Sequence, residues 1–180
     1  INKERKKSMK VKLINATSDA VNLLLFTKNT RLMNEDDSYS KISAWSEEAK
    51  QKELDYMLNT IKSSWEFIDY TFDIRDVSRG FTHQFVRTRQ ASYAQQSQRT
   101  VDMAGFDYYV PEAIANNEAA KMIYDQTMEV INMRYQQMRE MGVAAEDARG
   151  VLPTNIYTNI VAKFNLRTLH EMAKSRLSPR

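Results

Sequence analysis

The chain has 180 residues, of which 42% are hydrophobic, and a mild formal net charge of +3; that is enough chain for one domain with a core of its own. It has no cysteine, which excludes disulfides, thiolate metal sites and a cysteine nucleophile. Its four glycines, Gly80, Gly105, Gly142 and Gly150, are scattered, which excludes a glycine-rich dinucleotide turn and a P-loop.

Residues 1–8 form a basic leader, with Lys3, Arg5, Lys6 and Lys7, and Lys10 follows it. It reads as a solvated or extended leader, with a nucleic-acid arm as the sharper alternative; the run lacks the interleaved aromatics of a single-strand binding surface. Residues 9–16 alternate as a first strand, and Thr17-Ser18-Asp19 caps a helix to about Thr27. Residues 29–40 read as a polar loop around Asn34-Glu35-Asp36-Asp37. Residues 40–61 read as one helix, with Leu54, Met57, Leu58 and Ile61 on a shared face. The period then changes: Ile68, Tyr70, Phe72 and Ile74 alternate, so residues 65–74 read as a strand. Residues 78–89 return to helix, with Phe81 and Phe85 one turn apart. After Pro111 comes the longest helical pattern, to Met141, striped by Tyr124, Met128, Ile131, Tyr135 and Met138 as core or subunit interface; Gly142 ends it. Val151-Leu152-Pro153 is a break. Residues 156–164 are an apolar strand or helix start, and residues 165–177 are helical. The elements make one mixed α and β domain over residues 9–180, with no membrane span or secretory leader, so an intracellular, cytoplasmic setting is expected.

One segment stands apart in its chemistry. Residues 77–101 hold no Asp or Glu and are filled with Arg, Gln and Ser, Arg79 among them. Arginine's planar fork suits phosphate oxygens, serine hydroxyls complete anion sites, and glutamine's amide offers both donor and acceptor to a ring edge such as uracil or flavin. A polar surface loop and a nucleic-acid groove remain alternatives on composition alone. Neither histidine, His83 or His170, makes a metal motif: His170-Glu171 has Lys174 where a zinc helix needs a second histidine, so no metal is expected.

The order of residues is more specific. Arg87-Thr88-Arg89, seven residues, then Ser97 has the form Arg-x-Arg-x7-Ser, with His83-Gln84 before it, Ala91-Ser92-Tyr93 inside it and Gln95-Gln96-Ser97-Gln98-Arg99 closing it. Downstream stand Arg149, Val151-Leu152-Pro153, Asn155, Tyr157-Thr158, Asn165-Leu166-Arg167 and Arg176. This resembles the flavin-dependent thymidylate synthases, whose signature is usually Arg-His-Arg-x7-Ser, over about Met9 to the end. The resemblance implies an α+β fold with a central, mostly antiparallel sheet flanked by helices, assembled as a homotetramer. It implies FAD-dependent reductive methylation of dUMP to dTMP, with methylenetetrahydrofolate as carbon donor and NADPH as reductant. The missing cysteine fits a class that needs no enzymic thiolate. By position, Gln84, Arg87, Gln95, Gln96, Ser97, Gln98, Arg99 and Arg149 are implied dUMP contacts, with Ser97 and Arg99 on the phosphate and Arg176 catalytic, facing the uracil. Arg87, Thr88, Arg89, Gln95, Asn165, Arg167 and Glu171 are implied FAD contacts, with Ser63 and Glu66 as a weaker Ser-x-x-Glu match.

Each of these has a plainer reading. Arg167 pairs well with Glu171 one turn on, and Arg149 with Asp147 or a helix end. The chain also departs from the family: Thr88 replaces histidine, Glu171 (beside His170) stands where histidine or asparagine is usual, and Ile61 stands where many members have histidine. The family chain normally continues past Arg176, so a clipped end is expected. These departures keep two other functions open: a related pyrimidine modification such as hydroxymethylation, and a non-catalytic nucleotide- or RNA-binding relative, although nucleic acid is the less expected partner.

Overall fold

The computed structural model describes residues 7–34, 36–60 and 62–177. Lys3, Arg5 and Lys6 of the basic run, Glu35 of the polar loop and Ile61 of the helical stripe lie outside the described residues. In chain order come β1 (Lys10–Ala16), α1 (Ala20–Lys28), α2 (Ser38–Ser43), α3 (Glu47–Leu58), β2 (Asp69–Ser78), α4 (Arg79–Phe85) and β3 (Ala91–Gln95). Then follow α5 (Glu112–Ala115), α6 (Glu118–Glu140), α7 (Ala145–Ala148), β4 (Tyr157–Asn165) and α8 (Leu166–Leu177). Short 3-10 turns occupy Thr30–Leu32, Ser63–Phe67 and Arg149–Val151.

The four strands make one sheet in the order β1-β2-β4-β3. Register runs antiparallel throughout. Thr17 meets Asp69 while Lys10 meets Asp76; Arg79 meets Ile156 while Leu166 meets Ile68; Gln96 meets Asn159 while Gln90 meets Thr168. This is the α+β chain with an antiparallel sheet that the sequence reading expects. In β4 every second residue, Thr158, Ile160, Ala162 and Phe164, is buried, which resolves the strand-or-helix ambiguity: period-two burial belongs to a sheet with one covered face.

Two compact units divide the described residues. The first takes those up to Val11 with Asp73–Arg87 and Tyr93–Val161. Here the α6 stripe points inward, with Met128 and Tyr135 buried. Its tyrosines are anchored rather than merely packed. The Tyr135 hydroxyl accepts from the Met103 N–H at 3.2 Å, and Tyr124 donates to the Tyr109 carbonyl at 3.0 Å. Tyr108 donates to Asp125 at 2.8 Å, and Lys121 holds the other oxygen of that carboxylate at 2.6 Å. Burial, then the bond to Asp125, pushes the Tyr108 phenol well above its usual range, so it stays a donor. Gly142 ends α6 as expected. At φ +87° its N–H reaches the Arg139 carbonyl and the Val143 N–H reaches Met138, a closing turn that a left-handed residue must make.

The second unit holds Lys12–Phe72, Thr88–Ser92 and the residues from Ala162 onward. Its core is Leu25, Ile42, Met57 and Trp65, with Leu24, Phe26, Leu32, Trp45, Leu54 and Leu166 packed against it. Three sequence expectations change in the structure. The helix read over residues 40–61 is two helices, because the Ser46 hydroxyl accepts from the Ala49 N–H and restarts the chain as α3. Its apolar face is Leu54 and Met57; Leu58 is 58% exposed. The strand read over residues 65–74 starts only at Asp69, because Trp65 is drawn into the helical core on a 3-10 turn. In the first unit the long helix after Pro111 likewise breaks, where the Asn117 side chain caps α6.

Leu25 is fully buried in this core. Leu25→Ala is expected to lower unfolding stability by about 2–5 kcal/mol, through lost transfer energy and the cavity left behind. Urea denaturation checks it; a change below about 1 kcal/mol would show that the helical core collapses around the gap.

Candidate functional site

The Arg-Gln-Ser segment folds as helix, strand and loop. Ser78 caps α4 by accepting from the Phe81 N–H. The helix ends at Phe85, short of the expected Arg89, and carries exposed Gln84 with exposed Arg87 just beyond. Phe81 and Phe85 stack at 5.2 Å, as their spacing predicts. The inner residues then form β3, which sequence reasoning missed.

The loop after β3 is held from below. The Gln95 amide donates to Thr82 at 2.8 Å and to Thr158 at 3.5 Å. Gln96 is tied at three atoms. Its N–H donates to the Asn159 carbonyl at 2.9 Å, and its Oε1 accepts from Asn159 Nδ2 at 3.1 Å. Its carbonyl accepts from Arg79 Nη2 at 2.7 Å. Asn159 is itself fixed, because its Oδ1 accepts from the N–H of Asp76, a residue at φ +58° within β2. Of the four glutamines expected on dUMP, Gln95 and Gln96 are therefore engaged in holding the loop, whereas Gln84 is exposed.

Beyond them the side chains turn outward. Ser97 and Arg99 are exposed, and the Ser97 hydroxyl accepts from the Arg99 N–H at 3.1 Å. A pocket of about 540 Å³ is lined by Ser97, Arg99, Thr100, Ala144 and Glu146. Glu146 Oε2 accepts from Arg99 Nε at 3.0 Å and Nη2 at 2.8 Å. Arg149 Nε donates to the Glu146 carbonyl at 3.0 Å, so the helix-end reading of Arg149 holds and the Asp147 pairing does not. Gln98 carries a buried amide nitrogen with no hydrogen-bond partner among the described residues. Arg99 thus holds the Glu146 carboxylate and Arg149 the Glu146 backbone carbonyl, while Arg79 holds the Gln96 carbonyl at the base of the same loop.

The residues assigned to the flavin fall in the second unit, except Arg87 and Gln95; those assigned to dUMP fall in the first, except Arg176. Arg167 Nη1 donates to Glu66 at 2.8 Å and its Nε to Glu171 at 3.3 Å. Glu171 first, then Glu66, pushes the Arg167 guanidinium above its usual range. The Asn165 Oδ1 accepts from the Thr168 N–H at 2.8 Å, leaving its amide nitrogen for a ligand. Ser63, Arg89 and Glu66 are exposed. Thr88 is half-buried. Within the second unit Arg167 is committed to acids, whereas Arg89 has no acid partner among the described residues. Arg176, in the last turn of α8, is exposed and makes no hydrogen bond or ion pair among the described residues. His170 lies edge-on to Trp65 at 5.2 Å between ring centres.

Sequence reasoning gave no role to Arg79, Asn159 or Glu146. Arg79 lay in the acid-free window and was counted there. Nothing local marks Asn159 or Glu146, since each reaches the loop from a distant part of the chain.

A family model described as "Thymidylate synthase complementing protein" matches residues 12–180. A flavin-dependent thymidylate synthase of Nitratidesulfovibrio vulgaris is 43% identical over 119 residues, which are 62% of this chain and 49% of that one. One from Sulfurisphaera tokodaii is 33% identical over 173 residues, 96% of this chain and 67% of that one. The match to a further one, from Geobacter sulfurreducens, covers 47% of its length, so the chain spans about half of some of these relatives. A solved structure described as a UMP/dUMP methylase, PolB from Streptomyces cacaoi bound with 5-Br dUMP, superposes with a TM-score of 0.74 at 20% identity. It covers 92% of this chain and 76% of its own, and at that identity the likeness is one of fold.

Glu146→Gln removes the carboxylate that occupies Arg99. The expected result is tighter binding of inorganic phosphate, by about 1.5- to 5-fold, as an exposed ion pair of about 0.2–1 kcal/mol is released. Calorimetric titration at low salt reads it; weaker binding by the variant would mean that Glu146 builds the pocket rather than competing for it.

Proposed function

The chain belongs to the thymidylate synthase complementing protein family, and we propose on that footing that it methylates dUMP to dTMP, with FAD, methylenetetrahydrofolate as carbon donor and NADPH as reductant. The observation that carries the reading is the pocket lined by Ser97 and Arg99, on a loop whose neighbouring glutamines are already tied down. Ser97 and Arg99 take the 5′-phosphate there, with Arg149 adding charge and Arg87 and Gln84 bordering the nucleotide. Arg99 exchanges Glu146 for the phosphate, a stronger charge-assisted partner.

Arg176 faces the uracil. A guanidinium without an internal acid favours negative charge on the ring, which raises the nucleophilicity that a thiolate would otherwise supply; the chain has no cysteine for that task. A flavin, when bound, would supply the hydride that completes the methyl group. Arg87, Arg89, Ser63 and Asn165 hold its phosphates and polar edge, with Thr88 packed between the two arginines in sequence. Gln95 reaches neither ligand in its present bonds and supports the loop instead.

The assembly is a cytoplasmic homotetramer in this reading. No helix among the described residues is long and apolar enough to cross a membrane. Met9, Val11, Leu13 and Ile14 around β1, and Met122, Ile123, Val130 and Met133 on α6, are all exposed. Self-association covers such apolar area. A second reading rests on one observation, the engagement of Arg167 by both Glu66 and Glu171. If it weakens the flavin side, the scaffold serves a related modification such as hydroxymethylation, or binds nucleotide without turnover.

The test is product formation. Purified protein with FAD, NADPH, methylenetetrahydrofolate and dUMP is expected to yield dTMP; hydroxymethyl-dUMP or no product favours the second reading. Arg176→Ala is expected to reduce dTMP formation by about 100-fold or more, the loss seen when one charge-stabilising donor is removed, while FAD binding changes little. Unchanged turnover would remove Arg176 from the uracil.

A further inference from the structure

Arg79 is the residue of the acid-free segment that no role has yet absorbed. It is the first residue of α4, and its backbone N–H donates to the Ile156 carbonyl at 3.0 Å, which fixes its base. Its side chain spends one nitrogen, Nη2, on the Gln96 carbonyl. Its Nε is buried and has no hydrogen-bond partner among the described residues. Among the described residues no carboxylate pairs with it. The charge that does lie near it has the same sign: burial first, and then Arg149, draws the Arg79 guanidinium below its usual range.

A half-buried cation beside another cation, with an unmet donor, is costly in a resting protein. Holding one carbonyl does not account for it, since a neutral donor holds a carbonyl at lower cost. The feature becomes intelligible only with an anion close by. The loop it holds leads, within three residues, to Ser97, Gln98 and Arg99, and Gln98 carries the second buried unmet donor of this region. Two unmet donors and two like charges all call for the same thing, a group with several acceptor oxygens and negative charge.

We propose that Arg79 is a positioning residue of the phosphate site: it fixes the Gln96 peptide from which the Ser97–Arg99 loop extends and adds, beside Arg149, a positive charge that a bound phosphomonoester balances. The inference rests on the reading that this loop takes a nucleotide phosphate. It deepens that reading by naming a residue that the chain separates from the signature serine by the rest of α4 and by β3, one that acts through the loop rather than by touching the reacting ring. It also predicts a trade of stability for binding: the empty site is strained by its own charges, and the anion relieves them.

The experiment is thermal unfolding of purified protein in phosphate-free buffer, then with inorganic phosphate and, separately, with dUMP. Wild type is expected to gain Tm with each ligand. Arg79→Met, which keeps the apolar stem and removes the charge, is expected to match or exceed the wild-type Tm without ligand and to lose most of the phosphate-induced gain. Calorimetry is expected to show dUMP affinity down about tenfold or more, the worth of one interaction with a charged group. Arg79→Lys keeps the charge and is expected to recover part of that loss, which a purely structural tie to Gln96 does not predict. The proposal is overturned if Arg79→Met unfolds at lower temperature yet keeps the full phosphate-induced gain, or if Arg79→Lys binds phosphate no better than Arg79→Met. If wild type responds to phosphate through Arg79 but not to dUMP, the anion site stands and the nucleotide reading falls.

Discussion

The loop at Ser97 depends on one residue that does not face the ligand. Gln96 is gripped through its N–H and side-chain oxygen by Asn159 and through its carbonyl by Arg79. Asn159 reaches it only because β4 lies between β2 and β3, and because Asp76 turns left-handed to send its N–H to the same side chain. A backbone position outside the usual regions costs energy and persists where surrounding bonds over-determine it. Here those bonds fix the exit of a strand whose next residues are exposed donors. A rigid sheet thereby carries a short loop with defined direction, which is what a binding site needs from its scaffold.

The elements legible in the sequence were those whose residue pattern is local, β1 among them although it is exposed along its whole length. β1, α1, α6 with Gly142 at its end, and α8 follow from local patterns alone. The errors lie where distant packing or a single cap intervened. Trp65 continues an apolar alternation in sequence but belongs to a core of helices, so β2 begins four residues later. Ser46 and Asn117 restart helices within patterns that read as unbroken. β3 hid inside a segment so polar that its chemistry, rather than its period of two, drew the reading.

The candidate site divides along the same line. The Arg-x-Arg-x7-Ser spacing was visible because it is local, and Ser97 and Arg99 do line a pocket. The functions of Gln95 and Gln96 were not visible, because Thr82, Thr158 and Asn159 come to them only through strand pairing. Glu146 was silent for the same reason. On the other side, Arg167 and Glu171 were read correctly as partners one helical turn apart, whereas Glu66, 101 residues away, was not placed with them. The arginines differ in their commitments: Arg87 and Arg89 have no acid partner among the described residues, while Arg167 must surrender two before it meets an anion.

The central claim is that the same protein binds both flavin and dUMP. The measurement that tests it most directly is the visible absorption spectrum of the purified protein, reconstituted with FAD and titrated with dUMP. The account predicts a protein-bound flavin band that shifts saturably as dUMP is added, because a uracil ring beside the cofactor changes its surroundings. A protein that retains no FAD, or a bound-flavin spectrum that ignores dUMP at concentrations where calorimetry shows the nucleotide bound, would contradict it.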